Sequence, residues 1–140
     1  APTGLYRFTI QATDSSSATA TADLYIEVLP LPGTISGTIN YSGNKKGTIR
    51  IGLWASSQSP FMRLFIRPIF SATVTTHGEY KMDNIYPESY LAGAYLDINS
   101  DGMRQMDEPY GIFGSREKPE AVVVEHGAAL SDIDMELSED

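Results

Sequence analysis

The most specific chemical signal in the sequence is an acidic stretch from Asp97 to Glu108, which reads DINSDGMRQMDE. Oxygen-bearing side chains hold its first, third, fifth and twelfth positions, which are Asp97, Asn99, Asp101 and Glu108. Calcium is a hard cation that binds about six to eight oxygen atoms. Gly102 holds the sixth position, where a short loop that wraps an ion must turn sharply. The spacing therefore predicts a Ca²⁺ site.

The predicted ligand set adds one backbone group to these side chains. The carbonyl of Met103 supplies the seventh-position ligand, and Glu108 closes the shell with two oxygens. Gln105 is a candidate for contact through a water molecule, and Asp107 is a spare carboxylate. The competing interpretation is a solvated acidic loop without an ion, because charged runs on loops are usually just soluble surface.

The surroundings of the loop argue against a helical calcium sensor. Alternating apolar residues at 90–96 predict a strand that enters the loop, and Pro109 prevents a long helix from leaving it. The expected role of the ion is therefore structural, because it would neutralise carboxylates that otherwise repel one another. Extracellular modules of this kind bind calcium at about 10⁻⁴–10⁻³ M.

The elements that must position this loop are predicted to be β-strands. From residue 34 onward, short segments of period-two alternation are separated by turn clusters, and no segment sustains the 3.6-residue period of a helix. The predicted inward faces include Ile49, Ile51, Leu53 and Ala55; Tyr90, Ala92, Ala94 and Leu96; Val122 and Val124; and Ile133, Met135 and Leu137. Residues 56–60 are predicted to be a loop, and residues 61–76 a loop that leads into an edge strand. The pattern indicates an all-β antiparallel sandwich.

Residues 4–28 predict a separate β-hairpin, with alternating apolar residues on both sides of a turn at 14–17. Pro30 and Pro32 favour an extended link, so the predicted domains are 1–32 and 33–140. An isolated hairpin is marginal in water. Three explanations stay open: the hairpin ends an upstream domain, packs on the following domain, or adds strands to another copy of the protein.

Composition excludes several classes of function. The formal net charge is −8, which argues against a nucleic-acid partner, and the absence of cysteine excludes thiolate sites and disulfides. No apolar run approaches the ~20 residues of a membrane helix, so no membrane insertion is expected. No signal peptide is visible, which predicts an intracellular, processed or excised chain, and the abrupt start favours the last two.

Evidence for catalysis is weak in the sequence. His77 and His126 lie at predicted turns, where surface residues are a commoner explanation than metal ligands. No Gly-x-Ser-x-Gly elbow occurs, so the prediction is a protein without enzymatic activity. Several aromatic residues offer a surface for sugar stacking, although aromatic residues on strands are more often core or cross-strand pairs. They are Tyr41, Trp54, Tyr80, Tyr86, Tyr90, Tyr95 and Tyr110.

Two parts of the chain resemble known families. The segments GLYRFTIQATDS, ATA and IEV within residues 4–28 resemble the last two strands of bacterial immunoglobulin-like and cadherin-like repeats. Residues 34–137 resemble transthyretin-like, or prealbumin-like, sandwiches such as carboxypeptidase regulatory domains. The motifs are ISGTI at 35–39, GEY at 78–80, NIYP at 84–87, SYLAGAYLD at 89–97, EPYG at 108–111 and IDMEL at 133–137. Glu88 and Ser89 depart from the family's usual Pro-Gly-Tyr turn.

Together these features predict a non-catalytic, calcium-stabilised module of a secreted or cell-surface protein. It would act as a spacer or adhesion unit, in contact with neighbouring domains, other copies of itself, or a glycan or protein ligand. One alternative is a subunit of an extracellular filament assembled by strand addition through residues 4–28. Another is a carbohydrate-binding module.

Overall fold

The computed structural model describes residues 4–56 and 67–139, and the chain divides into two compact units, residues 1–30 and 31–140. The regular secondary structure of the described residues consists entirely of β-strands, which confirms the predicted all-β class. No helix that is long and apolar enough to cross a membrane occurs among these residues. The strands are β1 Gly4–Thr13, β2 Thr19–Val28, β3 Gly33–Tyr41, β4 Thr48–Ala55, β5 Phe70–Val74, β6 Gly78–Ile85, β7 Glu88–Asp97, β8 Tyr110–Ile112, β9 Ala121–Val124, β10 Ala129–Leu130 and β11 Met135–Leu137.

The first unit is the predicted hairpin, in which β1 and β2 pair antiparallel along their whole length. Its turn is stabilised by the Asp14 carboxylate, which accepts hydrogen bonds from the N–H groups of Ser16 at 2.8 Å and Ala18 at 2.9 Å. Directly paired residues share a face of the ribbon, so the register separates a polar face from an apolar one. The apolar face consists of Gly4, Tyr6, Phe8, Ile10, Ala12, Ala20, Ala22, Leu24, Ile26 and Val28.

The smaller sheet of the second unit is built around β3. It pairs antiparallel with β6 on one edge and parallel with β10 and β11 on the other. These two parallel pairings are the exception to the predicted antiparallel order. They arise because β9 belongs to the other sheet, so the chain crosses between sheets before it runs beside β3.

The larger sheet has the order β5-β4-β7-β8, and β9 also pairs with β7. Strands β8 and β9 pair with successive halves of β7. The described part of the predicted edge strand is confirmed, since β5 lies at the border of this sheet, whereas residues 57–66 lie outside the described ranges. Strands β8 and β10 were not predicted, because three and two residues are too few to show an alternating pattern.

The two sheets pack face to face around one apolar core, which confirms the sandwich. Every predicted inward face contributes to this core. Among the residues predicted to point inward, Ala55 alone is neither buried nor part of the core. The buried core residues are Ile35, Ile39, Ile49, Ile51, Leu53, Tyr80, Met82, Ile85, Tyr90, Ala92, Ala94, Leu96, Val122, Val124, Ile133, Met135 and Leu137. Each fully buried large aliphatic or aromatic side chain contributes about 1.5–3 kcal/mol relative to an exposed one.

The outer face of the larger sheet departs from simple alternation. Trp54, Leu91 and Tyr95 point away from the core, yet they are 3%, 6% and 7% exposed. This face is therefore covered at these three positions. At its centre Gly52 pairs with Gly93, and a Cβ atom on Gly52 would lie 2.6 Å from the Trp54 ring and 2.8 Å from Pro68.

The segment before β11 is attached to β3 by a close backbone approach. Ile133 N–H donates to the Ser36 carbonyl at 3.0 Å, and a Cβ on Gly37 would overlap the backbone of Ile133. The buried Tyr80 hydroxyl donates to the Ile133 carbonyl at 2.5 Å. Tyr80 thus connects β6 to this segment across the sheet.

We expect Tyr80→Phe to lower the free energy of unfolding by about 1–3 kcal/mol, because it leaves the buried Ile133 carbonyl without its donor. Urea denaturation followed by tryptophan fluorescence measures this change. Tyr86→Phe is the matched control, since Tyr86 is 65% exposed, and its effect should stay within about 0.5 kcal/mol. Equal stability of the two variants would contradict the assigned role of Tyr80.

Candidate functional site

The acidic loop begins where β7 ends, next to β4. Asp97 pairs with Thr48 across the two strands, and Arg50 pairs with Tyr95, so Arg50 and Asp97 extend from the same outer face. The Asp97 side chain is completely buried. A charged group in such a place requires close partners, because an unpaired buried charge is strongly unfavourable.

Three donors surround the Asp97 carboxylate. Its Oδ2 accepts hydrogen bonds from Arg50 Nε at 2.5 Å and from Gly102 N–H at 2.9 Å, and its Oδ1 accepts one from Asp101 N–H at 3.2 Å. The backbone reaches these positions through left-handed conformations at Ser100, with φ of 60°, and at Gly102, with φ of 78°. The sharp turn predicted at Gly102 is therefore confirmed.

These contacts determine the charge state of Asp97. Burial by itself raises the pKa of Asp97, but the hydrogen bonds from Arg50, Gly102 and Asp101 outweigh burial and hold this pKa below the usual 3.8. The hydrogen bond with Asp97 also raises the pKa of Arg50. Burial, together with the nearby Asp97 charge, raises the pKa of Tyr95 to about 12. The site at neutral pH therefore contains a buried carboxylate anion beside a neutral phenol.

The third and fifth loop positions form a chain of local hydrogen bonds. Asn99 Oδ1 accepts from Asp101 N–H at 3.2 Å, and Asp101 Oδ1 accepts from Met103 N–H at 2.9 Å. Gln105 Nε2 donates to Asp101 Oδ2 at 2.6 Å. Asp107 is exposed, and its backbone carbonyl accepts from Lys45 Nζ at 2.8 Å.

Glu108 closes the loop. It is 2% exposed, and its two oxygens accept hydrogen bonds from Ile98 N–H and Gln105 N–H, both at 2.8 Å. Because Ile98 follows Asp97, the twelfth loop position returns to the first. The structure thus brings together the residues that the sequence placed at the two ends of the predicted ligand set.

The donor types of this loop fit a hard cation, since carboxylate, amide and carbonyl oxygens are the ligands that calcium takes. Within the described ranges, however, no group of three or more histidine, cysteine, aspartate or glutamate side chains is arranged to hold a metal ion. The carboxylates face N–H donors and the Arg50 guanidinium instead. Occupation by a cation would therefore require some of these oxygens to change partners.

Three arginines near the loop were missed in the sequence. Arg50 occupies an outward position that alternation could have indicated, but its partner depends on the strand register. Arg104 and Arg116 place their guanidinium carbons 3.9 and 3.6 Å from the centre of the Tyr110 ring. Arg116 also donates to the carbonyls of Tyr110 and Ser138. No local sequence signal predicts this stack.

The two histidines are exposed, as turn residues generally are. His126 Nδ1 accepts a hydrogen bond from Leu31 N–H at 3.0 Å, and the neighbouring Gly127 N–H donates to the Leu31 carbonyl at 3.0 Å. His126 therefore helps to attach the start of the second unit to its β9–β10 turn.

Comparisons with known proteins do not add an identity to this geometry. The chain matches no protein-family model and no curated protein. The class that the fold defines is an all-β sandwich with an N-terminal hairpin.

We expect the Asp97 contacts to produce a characteristic loss of stability in acid. The pKa of Asp97 is lower in the folded protein than its unfolded value of 3.8. The contribution of Asp97 to the free energy of unfolding is therefore complete above pH 3.8 and is lost as pH falls through the pKa of the folded state. Asp97→Asn should remove this acid dependence and reduce stability at pH 7 by about 2–4 kcal/mol.

Urea titrations between pH 7 and pH 2 in EDTA measure both effects without a bound cation. Asp83→Asn is the control, since Asp83 is exposed and contacts Lys81 at 3.5 Å. An unchanged acid dependence in Asp97→Asn would contradict the assignment.

Proposed function

We propose that residues 33–140 form a calcium-binding, transthyretin-like module without catalytic activity, in a secreted or cell-surface protein. It acts as a spacer or adhesion unit beside neighbouring domains of the same polypeptide. The observation that carries this proposal is the closure of the acidic loop by buried carboxylates at its first and twelfth positions, Asp97 and Glu108. The sequence motifs that resemble those of transthyretin-like and immunoglobulin-like sandwiches support this proposal.

Charge within the loop supports a cation rather than an empty acidic turn. Four carboxylates occur between Asp97 and Glu108, and the near guanidiniums of Arg50 and Arg104 compensate only part of that charge. Carboxylates brought together in a small volume would repel one another, and the repulsion is strongest where water is excluded. A divalent cation removes this repulsion.

The groups that would hold the ion are the side chains of Asp97, Asn99, Asp101 and Glu108 and the carbonyl of Met103. Bound calcium would supply positive charge that offsets the negative charge of these carboxylates. The chain's own contribution is to bury the two end carboxylates and to turn sharply at Gly102. Calcium suits such a site better than magnesium, which demands tight octahedral geometry and retains water.

We expect 10 mM Ca²⁺ to raise the free energy of unfolding by about 1.4–2.7 kcal/mol if the dissociation constant is about 10⁻⁴–10⁻³ M. Thermal and urea denaturation with calcium or EDTA measure the change. Asp101→Ala removes an exposed ligand and should abolish the calcium effect.

Asp83→Ala is the matched control, because it removes another exposed carboxylate that lies outside the loop, and it should keep the full calcium response. An identical melting temperature with and without calcium, together with no calcium by elemental analysis, would refute the proposal.

A second candidate function is a filament subunit, which the apolar face of the hairpin favours. On this face Phe8, Ile10, Leu24 and Ile26 are 49%, 53%, 49% and 52% exposed. An exposed apolar sheet face of this kind often marks an interaction site. The backbone edges of β1 and β2 also have no strand partner among the described residues, so each could accept an added strand.

We expect the assembly candidate to show concentration-dependent growth in size-exclusion chromatography with light scattering. Phe8→Glu should reduce the mass to that of a monomer, since it buries a charge in any contact made by the apolar face. Gln11→Glu adds the same charge to the polar face and should leave assembly unchanged. A wild-type chain that stays monomeric up to about 1 mM would exclude this candidate, since even weak specific association has dissociation constants in that range.

A further inference from the structure

Arg50 brings a positive charge to the buried end of the acidic loop. Its Nε donates to Asp97 Oδ2 at 2.5 Å, and the Arg50 side chain is 32% exposed whereas that of Asp97 is completely buried. The larger sheet sets the position of Arg50, because β4 lies between β5 and β7 and pairs with the end of β7 that ends at Asp97. The sheet, and not the loop, therefore supplies this cation.

The other partners of the two end carboxylates are neutral. Both oxygens of Glu108 accept hydrogen bonds from backbone N–H groups at 2.8 Å, and Asp97 accepts from two backbone N–H groups at 2.9 and 3.2 Å. Such N–H groups stabilise a carboxylate but carry no net charge. Among these hydrogen-bond partners, the guanidinium of Arg50 is the one with a full positive charge. It therefore supplies at Asp97 the charge that a bound cation would otherwise supply.

Calcium and Arg50 would have to share the Asp97 carboxylate. Among the described residues, Oδ2 accepts from Arg50 Nε and Gly102 N–H, whereas Oδ1 accepts one longer hydrogen bond from Asp101 N–H. An ion on Oδ1 would bind the same carboxylate as the guanidinium, and an ion on Oδ2 would have to displace it. Either arrangement brings like charges together at a completely buried side chain, where their repulsion is strong because water is excluded.

Arg50 also helps to orient Asp97, and this effect acts in the opposite direction. Without Arg50, however, the hydrogen bonds from Gly102 and Asp101 remain, and Asp97 still ends a paired strand. Most of the orientation of Asp97 is therefore kept, whereas the charge repulsion is lost entirely. Removal of the Arg50 charge should consequently strengthen calcium binding.

We propose that Arg50 is a resident counter-cation of the acidic loop, which keeps the loop folded without calcium and competes with calcium for Asp97. The first part rests on the contact between Arg50 and Asp97, whereas the competition rests on the proposed calcium function. In this arrangement the loop binds calcium only where the ion is abundant, in keeping with the affinity of about 10⁻⁴–10⁻³ M that extracellular modules have.

Isothermal titration calorimetry with calcium chloride tests the competition. Arg50→Gln removes the charge but keeps an amide donor, and we expect calcium to bind this variant about tenfold more tightly than the wild-type chain. Arg50→Lys keeps the charge and should bind calcium within about threefold of the wild-type affinity. Equal or weaker calcium binding by Arg50→Gln would overturn the competition.

Two control variants separate the Arg50 contact from a general effect of charge. Lys45 lies near the loop, but its Nζ donates to the backbone carbonyl of Asp107 at 2.8 Å and not to a predicted side-chain ligand. Lys45→Gln should therefore change calcium affinity by less than about threefold. Arg7→Gln removes a guanidinium from the hairpin, where its ion pair is 2.7 Å long, and should have no effect. Equal gains in Lys45→Gln and Arg50→Gln would overturn the specific role of Arg50.

Amide hydrogen exchange in EDTA tests whether Arg50 keeps the loop folded. In the wild-type chain the amides of Gly102 and Gln105 should be protected, because they donate to the two end carboxylates. In Arg50→Gln we expect these amides to exchange at least about tenfold faster in EDTA and to regain protection in calcium. The amide of Ile133, which donates to the Ser36 carbonyl in the other sheet, should stay protected and shows that the sandwich is folded.

The outcomes separate the two parts of the proposal. Equal protection of Gly102 in the wild-type chain and in Arg50→Gln in EDTA would overturn the role of Arg50 in folding the loop. Calcium binding by Arg50→Gln but not by the wild-type chain at about 10 mM calcium would refute the calcium function and support the competition. No calcium binding by either chain would refute both the calcium function and the competition, while the exchange rates would still decide the first part.

Discussion

The rest of the second unit depends on the hydrogen bonds that surround the buried Asp97 carboxylate. Asp97 ends the central strand β7, begins the acidic loop and accepts hydrogen bonds from a neighbouring strand and from the loop itself. Removing the full negative charge from water is costly, and three close donors offset that cost. The position of Arg50 and the turn at Gly102 follow from this requirement.

The loop and the outer face of the sheet are therefore parts of one arrangement. The loop brings Arg104 onto the Tyr110 ring, while Arg116 donates to the carbonyls of Tyr110 and Ser138. The outer face, which would meet solvent in a simple sandwich, is covered at Trp54, Leu91 and Tyr95.

The two units differ in whether their apolar faces are buried. In the sandwich, the inward faces of two sheets cover each other, and nearly all large aliphatic residues of the pattern are buried. In the hairpin, the register collects apolar residues on one face, but their side chains stay about half exposed. A two-stranded ribbon has no second layer of its own, so the same alternating pattern produces a core in one unit and an exposed surface in the other.

Alternation was sufficient to predict most of the strands and their inward faces, because side-chain direction in a strand has a fixed period. The sharp turn at Gly102 was predicted from the ion-binding spacing of the loop. The spacing from Asp97 to Glu108 likewise identified the loop and its two closing carboxylates. Alternation did not indicate that Trp54 and Tyr95 are buried, because the burial of an outward-pointing side chain depends on tertiary contacts and not on the period of the strand. It also did not indicate the parallel β3–β11 pairing or the Arg50–Asp97 contact. These depend on register and on the crossing between sheets, which only the tertiary structure decides.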